Sequence, residues 1–307
     1  MHEEAVPFGT GTDAILDVAS RIANTGIAAA AEVTQAARLV AHDLAALPPA
    51  RARQAIEQVI LGPYAQLGLQ WLHDAGALAV LLPELDATVD FSQEAGRRHK
   101  DVWEHTKQVV MQSPPRPLVR WAALLHDMGK VPTRVMLPDG KVTFHRHAEL
   151  GARMVGAVAR RLGFERGERQ KIRALVLYHL RANAYEPAWT DAAVRRFDHE
   201  MGDALGDLID LSRADVTSAR PGRKEEAARN IEALLQRILA VRELDARMPP
   251  LPPGVGNAIM EAFHLSPSRR IGELRKMCED AIERGELAER QPSEYYVEFL
   301  RKLGIAG

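Results

Sequence analysis

The stretch Leu124-Leu125-His126-Asp127-Met128-Gly129-Lys130 decides how this sequence is interpreted, because it closes an apolar helix with a histidine beside an aspartate. Apolar residues such as Leu118 and Trp121 precede the pair at helical spacing and predict a buried face that carries it to the edge of the core. Gly129 is then expected to let the backbone leave the helix. On its own the pair fits a core histidine beside an aspartate bonded to an amide more readily than it fits two ligands of one metal ion.

Four further potential ligands change that balance, because each is a polar group on or beside an apolar helix face. They are His105, His147, His179 and Asp215. Burying several such groups without partners is unfavourable, so converging ones are expected to share a partner. Imidazole and carboxylate donors without a thiolate favour Mn, Fe, Co, Ni or Zn over calcium, and four histidines disfavour magnesium alone. The predicted cofactor is therefore a divalent metal.

Two of these histidines have a competitor nearby. His99 and His105 are six residues apart, and on one helix they face different directions; His105 is preferred because it lies on the apolar side. His147 is preferred to His145 because it directly precedes a predicted helix, and His145 is interpreted as a hairpin residue that contacts substrate. The remaining histidines are interpreted as surface or packing residues: His42, His73, His199 and His264.

The composition is that of an ordinary globular protein. The chain has 307 residues, 46% of them apolar, and its 40 basic and 41 acidic side chains nearly cancel. A single cysteine, Cys278, excludes an internal disulfide and is expected to be buried as a small apolar residue. Neither a signal peptide nor a membrane span is recognisable. We expect a cytoplasmic protein with no membrane or DNA partner, and a homodimer stays open.

Helical periodicity dominates, so the predicted fold class is all-α, a helical bundle with flanking helical segments and one short β-hairpin. The hairpin is expected around Pro138-Asp139-Gly140 and should overhang the site. Arginine pairs such as Arg195-Arg196 fit exposed helix faces. Helices are expected near 13–24, 30–46, 50–60, 63–75, 99–112, 117–128, 147–162, 168–181, 203–216 and 224–241. The predicted domains are an N-terminal helical region at 1–90, a metal-binding domain at 91–222 and a C-terminal helical region at 223–307.

These residues resemble the HD superfamily of metal-dependent phosphohydrolases, whose pattern is a histidine, a His-Asp doublet and a distant aspartate. His105, His126-Asp127 and Asp215 match that pattern. Superfamily members that hold two metals have two more histidines between the doublet and the last aspartate, and His147 and His179 fill those places in order. The resemblance therefore implies two divalent ions bridged by Asp127 and a water.

A closer resemblance is to bacterial tRNA nucleotidyltransferases (CCA-adding enzymes), over about residues 50–300. It is carried by Trp71 to Leu85, Val102 to Thr106, Ala122 to Lys130 and Gly285 to Leu287. The resemblance makes residues 1–90 neck-like and residues 91–222 the HD domain. That family's catalytic head has a glycine-rich nucleotide loop and paired aspartates, and nothing similar precedes Pro48, so we expect that this chain does not add nucleotides.

The function implied is hydrolysis of a phosphate ester by a metal-activated hydroxide. Asp127 and Lys130 are the candidate catalytic residues, with Lys130 stabilising developing charge. The candidate substrate-binding residues are Arg134, His145, Arg146 and Arg181. A 2′,3′-cyclic or 2′-phosphorylated nucleotide or RNA 3′ end is the favoured substrate, while dinucleoside polyphosphates, cyclic dinucleotides and oxygenase chemistry stay open. The alternative is a non-catalytic nucleotide- or RNA-binding module.

Overall fold

The computed structural model describes residues 11–91, 101–217, 222–247 and 249–305. Within these residues the fold is helical apart from one two-stranded hairpin, which confirms the all-α prediction. The chain divides into two compact units, one running to Ala184 and including Asp203–Ile231, the other formed by Tyr185–Gly202 with the residues from Glu232 onward. The domain limits predicted at residues 90 and 222 stay predictions. Among the described residues, no helix combines the length and apolarity needed to cross a bilayer.

Residues 11–91 contain six short helices. They are α1 (Thr12–Thr25), α2 (Ala31–Val40, continued by a 3-10 turn at Ala41–Ala46), α3 (Pro49–Leu61), α4 (Ala65–Asp74), α5 (Ala77–Leu81) and α6 (Pro83–Asp86). Prolines begin α3 and α6, where the missing backbone N–H costs nothing. Helix α1 packs closely on α3 and α4. The closeness is seen at Gly62 and Gly68, where an added Cβ would come within 3.0 Å of Ala23.

The next elements along the chain include most of the helices that carry or adjoin predicted ligands, and α8 lies in the middle of them. They are α7 (Val102–Gln112), α8 (Pro117–Leu125), α9 (Lys130–Thr133), strands β1 (Val135–Met136) and β2 (Val142–Thr143), α10 (His147–Arg161) and α11 (Arg166–Tyr178). Asp101 begins α7 by accepting hydrogen bonds from the backbone N–H groups of Trp103 and Glu104. Helix α8 is buried on nearly all sides and contacts α3, α7 and α11. An all-round apolar helix of this kind belongs at the middle of a bundle.

The remaining helices are α12 (Asp191–Met201), α13 (Leu205–Ala214), α14 (Arg223–Arg247), α15 (Val255–Ala262), α16 (Arg269–Glu283) and α17 (Ser293–Lys302). In the second unit, Ile259, Leu274, Tyr296 and Leu300 form a core that also contains Cys278, which is buried as expected.

Helix α12 was not predicted, and the interpretation of Arg195 as exposed was wrong. The Arg195 side chain is 10% exposed; it donates to both carboxylate oxygens of Asp245 at 2.6 Å and to Glu289. The many charged residues of α12 obscure the apolar periodicity of its sequence, although Val194, Phe197 and Met201 form its buried face.

Candidate metal centre

All six predicted ligands meet just beyond the C-terminal end of α8. His105 lies within α7, the His126-Asp127 doublet directly follows α8, and His147 is the first residue of α10. His179 directly follows α11, and Asp215 directly follows α13. His126, Asp127 and His179 are buried, while the other three are partly buried. One helix and the ends of four others thus bring residues from five parts of the chain to one place.

The first group of ligand atoms consists of His105, His126 and both aspartates. His105 Nε2 lies 3.4 Å from Asp127 Oδ2 and 3.0 Å from Asp215 Oδ1. His126 Nε2 lies 3.2 Å and 3.4 Å from the same two oxygens. These distances between donors are of the size found around a single bound cation, so His105, His126 and Asp127 can share one ion. Asp215 lies beside the same two imidazoles.

The second group contains Asp127, His147 and His179. Asp127 Oδ1 lies 3.5 Å from His147 Nε2 and 4.0 Å from His179 Nε2. Asp127 therefore presents Oδ2 to the first group and Oδ1 to the second. A carboxylate that belongs to both groups in this way is able to bridge two ions.

Backbone carbonyls fix the orientation of three of the imidazoles. Nδ1 lies 2.8 Å from Ala123 O in His126, 2.9 Å from Phe144 O in His147 and 2.7 Å from Val176 O in His179. Because a carbonyl only accepts, Nδ1 carries the proton in each ring, and Nε2 of the neutral ring offers its lone pair to the centre. This second hydrogen bond is characteristic of histidines that bind metals.

His105 is held differently, by a residue that the sequence did not single out. Its Nδ1 lies 2.8 Å from the Thr217 hydroxyl, two residues after Asp215. A threonine in this position carries no recognisable pattern, because its partner is 112 residues away.

The donor atoms fit a divalent metal. His147 Nε2 is buried without a hydrogen-bond partner. His105 Nε2 and His126 Nε2 face each other at 3.2 Å between two carboxylates. Leaving buried nitrogens unpaired is unfavourable, and a cation would satisfy these lone pairs at once. Nitrogen and carboxylate donors without sulfur suit the transition metals that the sequence indicated.

The electrostatics of the centre also favour a bound cation. Burial opposes the charge on Asp127, but His126 and Lys130 outweigh it and hold the pKa of Asp127 well below its usual range. Burial likewise disfavours a charged His126, yet Asp127 and Asp215 raise its pKa to about 10. Burial and the neighbouring His126 lower the pKa of His179 to about 4, so this imidazole stays neutral near pH 7. The site thus concentrates negative charge, which a divalent cation can balance in place of the proton on His126.

Gly129 lets the doublet pack closely against α10, which is not the role predicted for it. Its φ of −70° and ψ of −12° are ordinary for any residue, so the prediction that it frees the backbone was wrong. A Cβ at Gly129 would lie 2.1 Å from His147 O and 2.7 Å from Gly151 N. Only glycine permits this close approach, which sets the distance between Asp127 and His147.

Of the other predicted site residues, Lys130 directly contacts the ligand cluster, since its Nζ lies 2.6 Å from Asp127 Oδ2. Arg134 is exposed and its Cζ lies 5.1 Å from the centre of the Phe91 ring. Arg181 is half-buried, with its Cζ 5.1 Å from the Tyr178 ring. His145 and Arg146 are exposed. Substrate binding by these four residues stays a prediction.

The histidines that were interpreted as surface or packing residues lie outside the two ligand groups. His73 Nδ1 lies 2.8 Å from Asp86 Oδ1, which links α4 to α6 as a packing contact. His42, His199 and His264 are exposed. His99, the competitor of His105, lies outside the described residues.

Comparison with known proteins agrees with this geometry. Residues 89–234 match the HD domain, and residues 28–88 match the domain described as the probable RNA- and SrmB-binding site of polymerase A. The A-adding tRNA nucleotidyltransferase of Deinococcus radiodurans is 34% identical over 87% of this chain and 63% of its own length. The CC-adding tRNA nucleotidyltransferase of Thermus thermophilus is 30% identical over 86% of this chain and 59% of its own length.

A multifunctional CCA protein of Pseudomonas aeruginosa is 34% identical over 54% of this chain and 41% of its own length. The chain thus spans about six tenths of the first two relatives and less of the third. Residues 89–234 are an HD domain, and most of the chain is related to the C-terminal part of the bacterial tRNA nucleotidyltransferases.

Proposed function

We propose that this chain is a metal-dependent phosphohydrolase whose HD centre holds two divalent ions. The observation that carries the proposal is the position of Asp127, whose two carboxylate oxygens belong to two different ligand groups. His105, His126, Asp127 and Asp215 are assigned to one ion. Asp127, His147 and His179 are assigned to the other. Mn, Fe, Co, Ni and Zn suit these donors best, with Mg open.

The residues themselves prepare the reaction. Divalent ions bound here would lower the pKa of coordinated water and polarise phosphoryl oxygens. Asp127 would contribute one oxygen to each ion, and the Nδ1 hydrogen bonds hold three of the imidazoles with Nε2 towards the centre. Lys130, whose side chain is 13% exposed, places its ammonium group beside Asp127. We assign it to stabilising the negative charge that develops on the phosphoryl or leaving oxygen.

The proposed substrate is a nucleotide or an RNA end, with a 2′,3′-cyclic or 2′-phosphate ester favoured. The match of residues 28–88 to an RNA-binding domain supports this choice, as do the names of the relatives, which act on tRNA. Arg134, His145, Arg146 and Arg181 are the proposed contacts to the substrate. Guanidinium groups suit phosphate because their planar donors can bind two oxygens at once.

The second candidate is an RNA-binding module without catalysis. The RNA-binding match at residues 28–88 favours it, and so does the relationship to enzymes whose names describe nucleotide addition. The two candidates differ in one measurable property. A binding module has no need of its six metal-binding side chains, whereas hydrolysis fails without them.

The test combines metal analysis with hydrolysis assays. The purified chain is assayed on a model phosphodiester and on a 2′,3′-cyclic nucleotide, with added manganese, nickel or magnesium. We expect metal-dependent turnover, lost in His126→Ala and Asp127→Ala. His42→Ala is the matched control, because His42 is exposed and has no part in the centre. Absence of both metal and turnover, or full activity in either doublet variant, would refute the proposal.

A further inference from the structure

Two partly buried aromatic side chains lie beside the metal centre. Phe91 and Phe144 have ring centres 6.4 Å apart and planes inclined by 51°. We call this pair the aromatic corner. By contrast, Trp103 and Trp121 of the same unit are fully buried and belong to the core.

The backbone ties the aromatic corner to the ligand-bearing segments. Phe91 O accepts a hydrogen bond of 3.1 Å from Val102 N, the first residue of the helix that carries His105. Phe144 O lies 2.9 Å from His147 Nδ1. Both phenylalanines are therefore joined through their backbone oxygens to the segments that hold the candidate ligands.

Two cationic side chains accompany the rings. Lys130 Nζ lies 5.7 Å from the centre of the Phe144 ring and 2.6 Å from Asp127 Oδ2. Arg134 Cζ lies 5.1 Å from the centre of the Phe91 ring. The Lys130 ammonium group thus lies beside both the aromatic corner and the carboxylate shared by the two ligand groups.

This combination is suited to a nucleotide. A phosphate needs cations and metal, and its attached base gains by stacking on an aromatic ring that is partly open to solvent. A base-free phosphate ester would use only the charged part of the surface. Rings and cations thus lie side by side, as the base and the phosphate do in one nucleotide.

We propose that the aromatic corner stacks the base of a nucleotide whose phosphate lies at the metal centre, with Lys130 and Arg134 beside the phosphate oxygens. The inference rests on the proposed function in one respect, the presence of a phosphate at the centre. It makes Phe91 and Phe144 specificity-determining residues. It also makes the substrate a nucleotide or RNA end in preference to a base-free ester.

The test measures equilibrium binding by calorimetry with manganese-loaded protein and two probes, adenosine 2′-monophosphate and inorganic phosphate. Phe144→Leu and Phe91→Leu should each weaken nucleotide binding by about 5-fold to 150-fold while leaving phosphate binding unchanged. Phe144→Tyr keeps an aromatic ring and should bind like the wild type. Met136→Leu is the matched control, because Met136 lies on the same hairpin and is 62% exposed.

Circular dichroism and metal content identify any variant that is misfolded. If one leucine variant is misfolded, the leucine variant of the other phenylalanine provides the test. Equal weakening of both probes in the leucine variants would show a purely structural role and overturn the inference. Unchanged nucleotide binding, or no binding of either probe by the wild type, would also overturn it. Hydrolysis without a base preference would overturn the aromatic corner alone, whereas base-dependent binding without hydrolysis would overturn only the proposed function.

Discussion

Replacing Gly129 with alanine should damage one half of the metal centre more than the other. The added Cβ would lie 2.1 Å from His147 O and 2.7 Å from Gly151 N, whereas Cβ atoms essentially never approach within 3.0 Å of another heavy atom. Closely packed backbones cannot relieve so short a contact by local adjustment, so α10 must move away from the doublet by about 1 Å. The backbone angles of Gly129 suit alanine, so the effect is steric alone.

The displaced residue is His147, whose Nε2 lies 3.5 Å from Asp127 Oδ1. We expect Gly129→Ala to lower the free energy of unfolding by about 1 to 3 kcal/mol, the usual cost of overpacking. A shift of about 1 Å at a reacting site also reduces turnover by about 100-fold. The ion assigned to His147 and His179 should be lost before the ion assigned to His105.

Mass spectrometric metal analysis and thermal unfolding test this expectation. Gly167→Ala is the matched control, because Gly167 lies in α11 and a Cβ there would meet nothing within 4 Å. That variant should match or slightly exceed the wild-type stability. If Gly129→Ala kept the wild-type metal content and unfolding temperature, the argument that close packing sets the second ligand group would be refuted.

Two further predictions concern Thr217 at the centre and the Arg53–Glu168 ion pair that joins α3 to α11. Thr217→Val removes the hydroxyl 2.8 Å from His105 Nδ1 and should weaken metal binding by about 10-fold to 100-fold. Thr217→Ser keeps the hydroxyl and should restore metal binding. Equal metal affinities of the wild type and both variants in a titration would contradict this. Arg53 donates to both carboxylate oxygens of Glu168, and these hydrogen bonds lower the pKa of Glu168 below its usual value. A lowered carboxyl pKa stabilises the fold above the unfolded pKa of about 4.3, and this stabilisation is lost as the pH falls through the folded pKa. The stability difference between wild type and Arg53→Met in denaturant should therefore shrink in acid, and a constant difference would show that the ion pair is not its source.

The convergence of the six candidate ligands could be predicted from the sequence because each has a local signal, while their binding of metal stays a prediction. Each histidine or aspartate stands at a recognisable place on a helix, and the His126-Asp127 doublet fixes the order of the others. The predicted helices near 117–128 and 147–162 correspond to α8 and α10 for the same reason.

What could not be predicted depends on distant parts of the chain. Thr217 supports His105 across 112 residues, and the role of Gly129 depends on how closely α10 approaches it. Arg195 is buried because Asp245 and Glu289 neutralise it, although arginine alone suggests an exposed surface. No local pattern of charge or apolarity contains these partners.

The most direct test of the central claim is electron paramagnetic resonance of the chain titrated with manganese. If Asp127 bridges two ions, the protein should bind two manganese ions and give the spectrum of a magnetically coupled pair. Asp127→Ala should lose that coupled spectrum while remaining helical by circular dichroism. Failure of the wild type to bind manganese, or a spectrum unchanged by the substitution, would contradict the assignment of a centre built on Asp127.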